Sequence, residues 1–197
     1  MKKQTSQPNF KTLSKPRFKF TQEFIFLLLF YFFTASLFGF LWEVLIFLVK
    51  EGHFRNRGFL YGPWLPVYGS GAILIYLLLC KLKEHPEKAF LYSLLIGTSL
   101  ELLIGWILDF FWGLRYWDYT GSLFCFRGYI CLASALGIGF AGCLWICLLS
   151  SPLQKFWFSV PEKIRRFGLI ILSLLFLLDC AVSLIFPNTG RGITFSR

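Results

Sequence analysis

The sequence predicts an all-α integral membrane protein with five transmembrane helices, arranged as two parallel-repeated helical hairpins followed by one extra C-terminal helix. Of the 197 residues, 56% are hydrophobic and only 15% are charged, whereas an average soluble domain carries about 25% charged residues. The mean hydropathy of the chain is +0.64. This composition excludes a soluble globular domain, a disordered chain and a fibrous repeat.

Five apolar stretches are long enough to cross a bilayer, because about 20 helical residues span a hydrocarbon layer about 30 Å thick. The stretches are continuous and do not alternate with polar residues, so a transmembrane barrel is disfavoured. The first stretch is too long for the apolar core of a cleaved signal peptide and is expected to remain in the membrane. The predicted spans are Phe24–Val49, Phe59–Cys80, Ala89–Trp112, Tyr129–Ser150 and Phe167–Phe186.

The distribution of lysine and arginine predicts the orientation, because cytoplasmic segments carry the excess of these residues. Thirteen of the 20 lie in the N-terminal tail and in the loops after the second and fourth spans. The N-terminus is therefore expected inside and the C-terminus outside. The formal net charge of +10 fits a basic fringe beside anionic lipid, and the scattered basic residues do not indicate a nucleic-acid partner.

The predicted organisation has three parts. Residues 1–23 form a basic cytoplasmic tail, and residues 24–150 form a four-helix membrane domain made of the repeats 24–80 and 89–150. Residues 151–197 contain a cytoplasmic loop, the fifth span and a short outer tail.

Similar motifs recur in the same order in both predicted hairpins, which indicates a duplication. Each first span contains a glycine four residues before a glutamate, and each second span is preceded by an Arg-Gly-aromatic step and contains Gly-x-Gly. Coincidence is the alternative, because glycine and apolar residues are frequent in this chain. The paired motifs are Gly39-x-x-x-Glu43 with Gly97-x-x-x-Glu101, residues 57–59 with 127–129, and residues 69–71 with 137–139.

Acidic residues within the spans are the first candidates for chemistry, because a charged side chain in a bilayer usually faces the bundle interior or a wet cavity. From the helical rise, Glu43 is expected about 9 Å and Glu101 about 16 Å below the outer surface. Arg57 and Arg127 stand at the outer starts of the returning helices. Each hairpin is therefore expected to bring a carboxylate near a guanidinium. Such a pair either forms a polar site or merely locks two helices together.

Two further carboxylates also lie inside predicted spans. Asp109 is close to the outer end of its span, where a solvated or loop-capping role is expected. Asp179 lies deep in the last span without a basic neighbour in sequence, so it either finds a partner from another span or remains protonated.

Residues 56–71 contain two prolines and four glycines. A helix broken in this way at membrane depth is typical of a binding site, although a kinked packing helix has the same composition. Residues 115–121 combine tyrosine and tryptophan, as an interfacial aromatic belt does, with Asp118 between two rings. Asp118 is expected to cap the turn or to pair with Arg115 or Arg127.

The six cysteines do not have the spacing or the histidine partners of a metal site, and a disulfide between Cys125 and Cys131 is not expected. The sequence also contains no P-loop, no dinucleotide fingerprint and no Ser-His-Asp arrangement. Neither a cofactor nor a metal is predicted.

Four motifs resemble a bacterial family called Putative ABC-transporter type IV, or CmpB-like permeases. These motifs are Asn-Arg-Gly-Phe-Leu-Tyr-Gly-Pro-Trp-Leu-Pro-Val-Tyr-Gly at 56–69, Glu101, Trp-Asp-Tyr at 117–119 and Gly-Tyr-Ile-Cys-Leu at 128–132. The resemblance covers residues 36–150 and implies a transporter permease of the bacterial cytoplasmic (inner) membrane. Two positions depart from the family pattern: Cys125 replaces an asparagine, and residues 137–139 replace a Trp-Gly step.

The resemblance and the repeat together define the candidate substrate-binding residues, which are Glu43, Arg57, Tyr61, Tyr68, Glu101, Trp117, Asp118 and Arg127. They predict a transport component with an outer-leaflet Glu/Arg polar site between two hairpins. The expected partners are membrane lipid, a separate ATPase subunit and a second copy of the chain. Two alternatives stay open: a non-catalytic partner or scaffold subunit, and a membrane enzyme acting on lipid or cell-wall intermediates.

Overall fold

The computed structural model describes residues 22–54, 56, 58–189 and 194–195. It shows an all-α membrane protein whose described part contains a single pair of two-residue strands. The α-helices are α1 (Gln22–Glu51), α2 (Pro66–Leu79), α3 (Pro86–Trp112), α4 (Leu132–Leu144), α5 (Ser150–Ser159) and α6 (Glu162–Ile185). A 3-10 turn at Cys80–Leu82 extends α2, and a π-helical turn at Trp145–Leu149 joins α4 to α5.

Four helical segments in the described residues are long and apolar enough to cross a membrane. They are Gln22–Val49, Pro86–Trp112, Leu132–Ser159 and Glu162–Ile185. They correspond to the first, third, fourth and fifth predicted spans.

The second predicted span is shorter in the structure than in the sequence prediction. Its apolar helix covers Pro66–Leu82, roughly 25 Å at the usual rise, and residues 59–65 are not helical. Pro66 lies in the first turn of α2, where a missing N–H costs no intrahelical bond. The prolines and glycines of this segment therefore delay the helix rather than kink it.

The loop predicted after the fourth span is largely helical. The helix that begins at Leu132 continues to Ser159, and Val160 and Pro161 alone separate α5 from α6. The π-helical turn precedes Pro152. In a regular α-helix, the ring of this proline would clash with the carbonyl oxygen four residues earlier. The helix thus continues through Pro152, although a proline at this position predicts the end of a helix.

Tyr31 of α1 lies at the centre of the apolar core and has no exposed surface. Its hydroxyl donates a 2.6 Å hydrogen bond to the Ser150 carbonyl oxygen, and its ring makes edge contacts with Tyr76 and Trp145. The Trp145 indole donates to the Ala72 carbonyl at 3.2 Å. This cluster ties α1, α2 and the π-helical turn together at the predicted inner half of the molecule.

Glycines set the close contact between α1 and α2. A Cβ added to Gly39 would lie 2.3 Å from Cγ of Tyr68, and a Cβ added to Gly69 would lie 2.7 Å from the Phe32 ring. Both distances are shorter than a van der Waals contact, so neither position has room for a side chain.

The same arrangement joins α3 and α4. A Cβ added to Gly97 would lie 2.1 Å from Cγ2 of Ile138, and a Cβ added to Gly139 would lie 3.0 Å from the Phe90 ring. In both helix pairs, the glycine of the first helix lies one turn before a glutamate.

Asn188, which follows α6, connects the predicted outer segments. Its backbone N–H donates to the Phe59 carbonyl at 3.2 Å and its side-chain amide donates to the Gly58 carbonyl at 2.9 Å. Its own carbonyl accepts a 2.9 Å bond from the Tyr116 hydroxyl. Nearby, strand β1 (Leu114–Arg115) pairs antiparallel with β2 (Thr194–Phe195). The end of the chain is therefore fastened to the segment between α3 and α4.

Asp179 of α6 binds the non-helical segment before α2. The donors in this segment satisfy the hydrogen-bonding capacity of the carboxylate. Oδ1 accepts from the Tyr61 N–H at 3.0 Å, and Oδ2 accepts from the Gly62 N–H at 2.8 Å and from the Trp64 indole at 2.7 Å. The Ser183 hydroxyl adds a longer bond of 3.2 Å. Backbone groups left free by the missing helix thus become the partners of the carboxylate.

The close approach at Gly97 predicts that Gly97→Ala lowers the free energy of unfolding by about 1–3 kcal/mol, because the stiff β-branched Ile138 cannot yield freely. Gly137→Ala is the matched control in the same helix pair, since nothing lies within 4 Å of its added Cβ. Thermal unfolding of the two variants in detergent measures the difference. Equal stability would contradict the glycine contact.

The contacts of Asp179 predict that Asp179→Asn destabilises the protein by about 2 kcal/mol, because an amide group would face two donors. Ser183→Ala removes only the longest bond and is expected to cost about 0.5–1 kcal/mol. Thermal unfolding and limited proteolysis of residues 58–65 compare the two variants. If Asp179→Asn left both measurements unchanged, the carboxylate would not hold this segment.

Candidate functional site

Glu43 of α1 is paired with Tyr68 of α2. The Tyr68 hydroxyl donates a 2.8 Å hydrogen bond to Oε1 of Glu43. The ring of Tyr68 lies over Gly39, one helical turn before Glu43. Helix α1 therefore provides both the space for the ring and the acceptor for its hydroxyl, which fixes the carboxylate at a contact between two helices.

Glu101 of α3 is paired with Tyr119, which lies between α3 and α4. The Tyr119 hydroxyl donates a 3.0 Å hydrogen bond to Oε1 of Glu101. Burial raises the pKa of Tyr119, and the negative charges of Glu101 and Glu43 raise it further. The hydroxyl therefore keeps its proton and acts as a donor.

The two pairs form one polar group, here called the glutamate–tyrosine cluster and made of Glu43, Tyr68, Glu101 and Tyr119. Tyr119 lies within electrostatic range of both carboxylates. The cluster therefore joins acidic residues that come from different helical hairpins. In the described residues, the donors to both glutamates are tyrosine hydroxyls.

One oxygen of the cluster has an unusual environment. Oε2 of Glu101 is buried and has no hydrogen-bond partner among the described residues. The Ser134 hydroxyl is close to this carboxylate, but it donates its hydrogen to the Cys131 carbonyl at 3.0 Å. The cluster thus keeps an unused acceptor inside an apolar bundle.

Arg127 and Arg57 were expected beside the glutamates. Arg127 is exposed in a left-handed conformation with φ 49°, and its guanidinium lies 6.0 Å from the centre of the Phe126 ring. Arg57 lies outside the described residues. The described partners of Glu43 and Glu101 are therefore tyrosines.

Tyr61, Trp117 and Asp118 lie beside the cluster rather than in it. The Tyr61 side chain is 54% exposed, and its backbone N–H binds Asp179. The Trp117 indole donates to the Tyr129 carbonyl at 2.8 Å. These groups therefore shape the segments that carry the cluster.

Asp118 caps a turn and also pairs with Arg115, so both of its expected roles are confirmed. It accepts a 2.9 Å bond from the Thr120 N–H and a 2.6 Å bond from its hydroxyl, and Arg115 lies 4.0 Å away. The two bonds from Thr120 and then the charge of Arg115 hold the pKa of Asp118 below its usual range. Asp118 thus stabilises the loop that contains Tyr119.

Asp109 fastens the same loop to α3. Arg115 contacts its Oδ2 through Nε at 3.1 Å and through Nη2 at 3.0 Å, and the Tyr129 hydroxyl donates to the same oxygen at 2.6 Å. The guanidinium also lies 5.0 Å from the centre of the Tyr129 ring. Asp109 has the loop-capping role that its place in the sequence suggested.

All six cysteines are free. Cys131 caps α4, since its sulphur accepts from the Ser134 N–H at 3.4 Å, and Cys125 accepts from the Gly128 N–H at 3.1 Å. In the described part of the chain, no three His, Cys, Asp or Glu residues are grouped to hold a metal ion. Cys125 and Ile138, which depart from the family pattern, both make structural contacts.

Tyr119 is the cluster member that sequence reasoning missed as a candidate. It belongs to the Trp-Asp-Tyr motif at 117–119, which drew attention to its two neighbours. A search for phenol donors beside each intramembrane carboxylate would have included it, because buried carboxylates need donors.

Comparison with known families agrees with the motifs. The family model described as Putative ABC-transporter type IV matches residues 30–184, a range that includes the whole cluster and Asp179. Neither the curated proteins nor the solved structures compared contain a significant match. Because the match covers most of the sequence, the chain belongs to the Putative ABC-transporter type IV family.

Proposed function

We propose that this protein is a permease-like transport component that binds a cation or a positively charged polar substrate at the glutamate–tyrosine cluster. The observation that carries the proposal is that two carboxylates from separate hairpins lie within electrostatic range of one tyrosine in an apolar bundle. Glu43 and Glu101 both lie within electrostatic range of Tyr119, and each accepts a bond from a tyrosine hydroxyl.

The charge of the cluster favours a cation. Hydroxyl donors orient a carboxylate but do not neutralise it, and an uncompensated charge in hydrocarbon is costly. Among the described residues, no lysine or arginine forms an ion pair with Glu43 or Glu101. The Glu–Arg site inferred from sequence is thus replaced, in this proposal, by a Glu–Tyr site.

Duplication of a helical hairpin supports this location. The contacts of the first helices recur 58 residues later, and those of the returning helices recur 70 residues later. The corresponding positions are Phe32 with Phe90, Gly39 with Gly97, Glu43 with Glu101, Tyr68 with Ile138, and Gly69 with Gly139. The sequence motifs pair Gly69 with Gly137, whereas the contacts pair Gly69 with Gly139, a shift of two residues. With this alignment, Ile138 corresponds to Tyr68 of the first hairpin. Tyr119 then supplies the donor that Ile138 lacks.

The proposed arrangement keeps five spans, with Pro66–Leu82 as a short second one that residues 59–65 extend towards the outer surface. It also keeps the three-part organisation of 1–23, 24–150 and 151–197 within the bacterial cytoplasmic (inner) membrane, with the N-terminus inside and the C-terminus outside. The helical α5 shortens the predicted inner loop.

A separate ATPase subunit is proposed to bind the inner face. Lys83, after α2, donates a 2.9 Å bond to the Ser151 hydroxyl at the start of α5. The predicted inner ends of the two hairpins are therefore in contact. Copurification of the native protein with a near-stoichiometric ATPase would support this partner.

The cation site predicts that Glu43→Gln and Glu101→Gln abolish ligand stabilisation. The purified full chain is heated with sodium, potassium, ammonium, methylammonium or choline chloride. A cation present at about 100 times its Kd stabilises the wild type by about 2.7 kcal/mol, whereas the two variants lose this effect because a carboxylate is removed.

Glu87→Gln is the matched control, because Glu87 is an exposed residue of the same helix as Glu101. It is expected to keep the stabilisation. Stabilisation that survives in both cluster variants, or unchanged uptake and export by the host, would contradict the site. An obligate complex whose activity survives both variants would instead indicate a scaffold subunit.

A further inference from the structure

We propose that the glutamate–tyrosine cluster binds one proton on Oε2 of Glu101 and exchanges this proton for a monovalent cation. This inference rests on the proposed function and assigns the class of its ligand. In the exchange, the O–H bond of Glu101 breaks, the proton passes to water, and the arriving cation replaces its single positive charge.

The unused oxygen of Glu101 is the first argument. Oε1 accepts from Tyr119, whereas the buried Oε2 has no partner among the described residues. An ionised carboxylate with a buried, unpartnered oxygen is expensive, and such a group usually becomes neutral instead. A proton on Oε2 removes the charge without disturbing the bond from Tyr119.

The surroundings of Glu101 provide the second argument. Glu43 lies near it on α1, Tyr68 on α2, Tyr119 in the segment before α4, and Ser134 on α4. None of these groups is basic, and Glu43 is the second carboxyl group among them. Two neighbouring carboxylates resist simultaneous ionisation, so one proton on Glu101 is the favoured state.

The positions of the two glutamates suggest the route of exchange. By helical rise, Glu43 is expected about 7 Å nearer the predicted outer surface than Glu101. Glu43 is therefore the carboxylate through which a proton reaches outer water, and Glu101 is the deeper acceptor.

The number of oxygen atoms defines the class of cation. Calcium takes 6–8 oxygen ligands, and magnesium demands octahedral coordination. Two carboxylates whose Oε1 atoms already accept hydrogen bonds offer fewer ligands than either ion requires. In the described residues, no third acidic group completes a metal site. A monovalent cation matches the single charge of the proton that it replaces.

Infrared difference spectroscopy on the full chain in lipid vesicles tests the proton. Lowering the pH is expected to produce the carbonyl band of a protonated carboxyl group, and Glu101→Gln is expected to remove this band. Glu43→Gln keeps the band but changes the pH at which it appears, because a neighbouring charge is lost. Glu87→Gln leaves the band unchanged.

Cation exchange is tested on the same sample. Methylammonium added at constant pH is expected to reduce the carboxyl band, because the cation displaces the proton. Tyr119→Phe provides a second variant should Glu101→Gln fail to fold, and loss of its hydroxyl is expected to shift the band. Isotopic labelling of glutamate in the wild type identifies the band independently of any variant.

A band that survives Glu101→Gln, the absence of any glutamate band, or a band that methylammonium leaves unchanged would overturn the proton inference. These outcomes are separate from the test of the proposed function. Cation stabilisation without a carboxyl band retains the cation site and rejects the proton. A band without cation stabilisation retains proton binding and rejects the exchange.

Discussion

The need to satisfy carboxylates inside apolar helices governs the arrangement of this protein. Glu43, Glu101 and Asp179 all lie on helices that are apolar enough to cross a membrane, and each accepts a hydrogen bond from another segment. Helices α1, α3 and α6 therefore carry these hydrogen-bond acceptors, while α2 and the connecting segments carry the donors. A bundle of this kind assembles in one register, because sliding a helix by one turn would leave a carboxylate without its donors.

Sequence patterns predicted the class of fold and the position of most helices, because hydropathy reports directly on burial in lipid. They were less successful where a proline or a basic residue stands near a helix end. Helix α2 begins at Pro66, later than predicted, because the free N–H groups before it bind Asp179. Asp179 lies 117 residues after Gly62, one of these donors. The loop predicted after the fourth span is largely helical, because the π-helical turn accommodates Pro152.

The candidate site was predictable in its acceptors and not in its donors. Glu43 and Glu101 stand out in any hydropathy profile, whereas Tyr119 lies in an aromatic segment that reads as an interfacial belt. Its approach to Glu101 depends on Asp109 and Asp118, which fold the loop through Arg115, Tyr129 and Thr120. Such contacts between a loop and a helix have no periodic signal in the sequence.

The way in which Asp179 is bound has a consequence for how the sequence can change over evolution. Two of its donors are main-chain N–H groups, which persist whatever side chain follows them. Tyr61 can therefore vary without loss of the hydrogen bond. Gly62 has less freedom, because a Cβ there would lie 2.5 Å from the Trp64 ring. In the family, we expect selection to act more strongly on the aspartate, the glycine and the tryptophan than on the tyrosine that precedes the glycine.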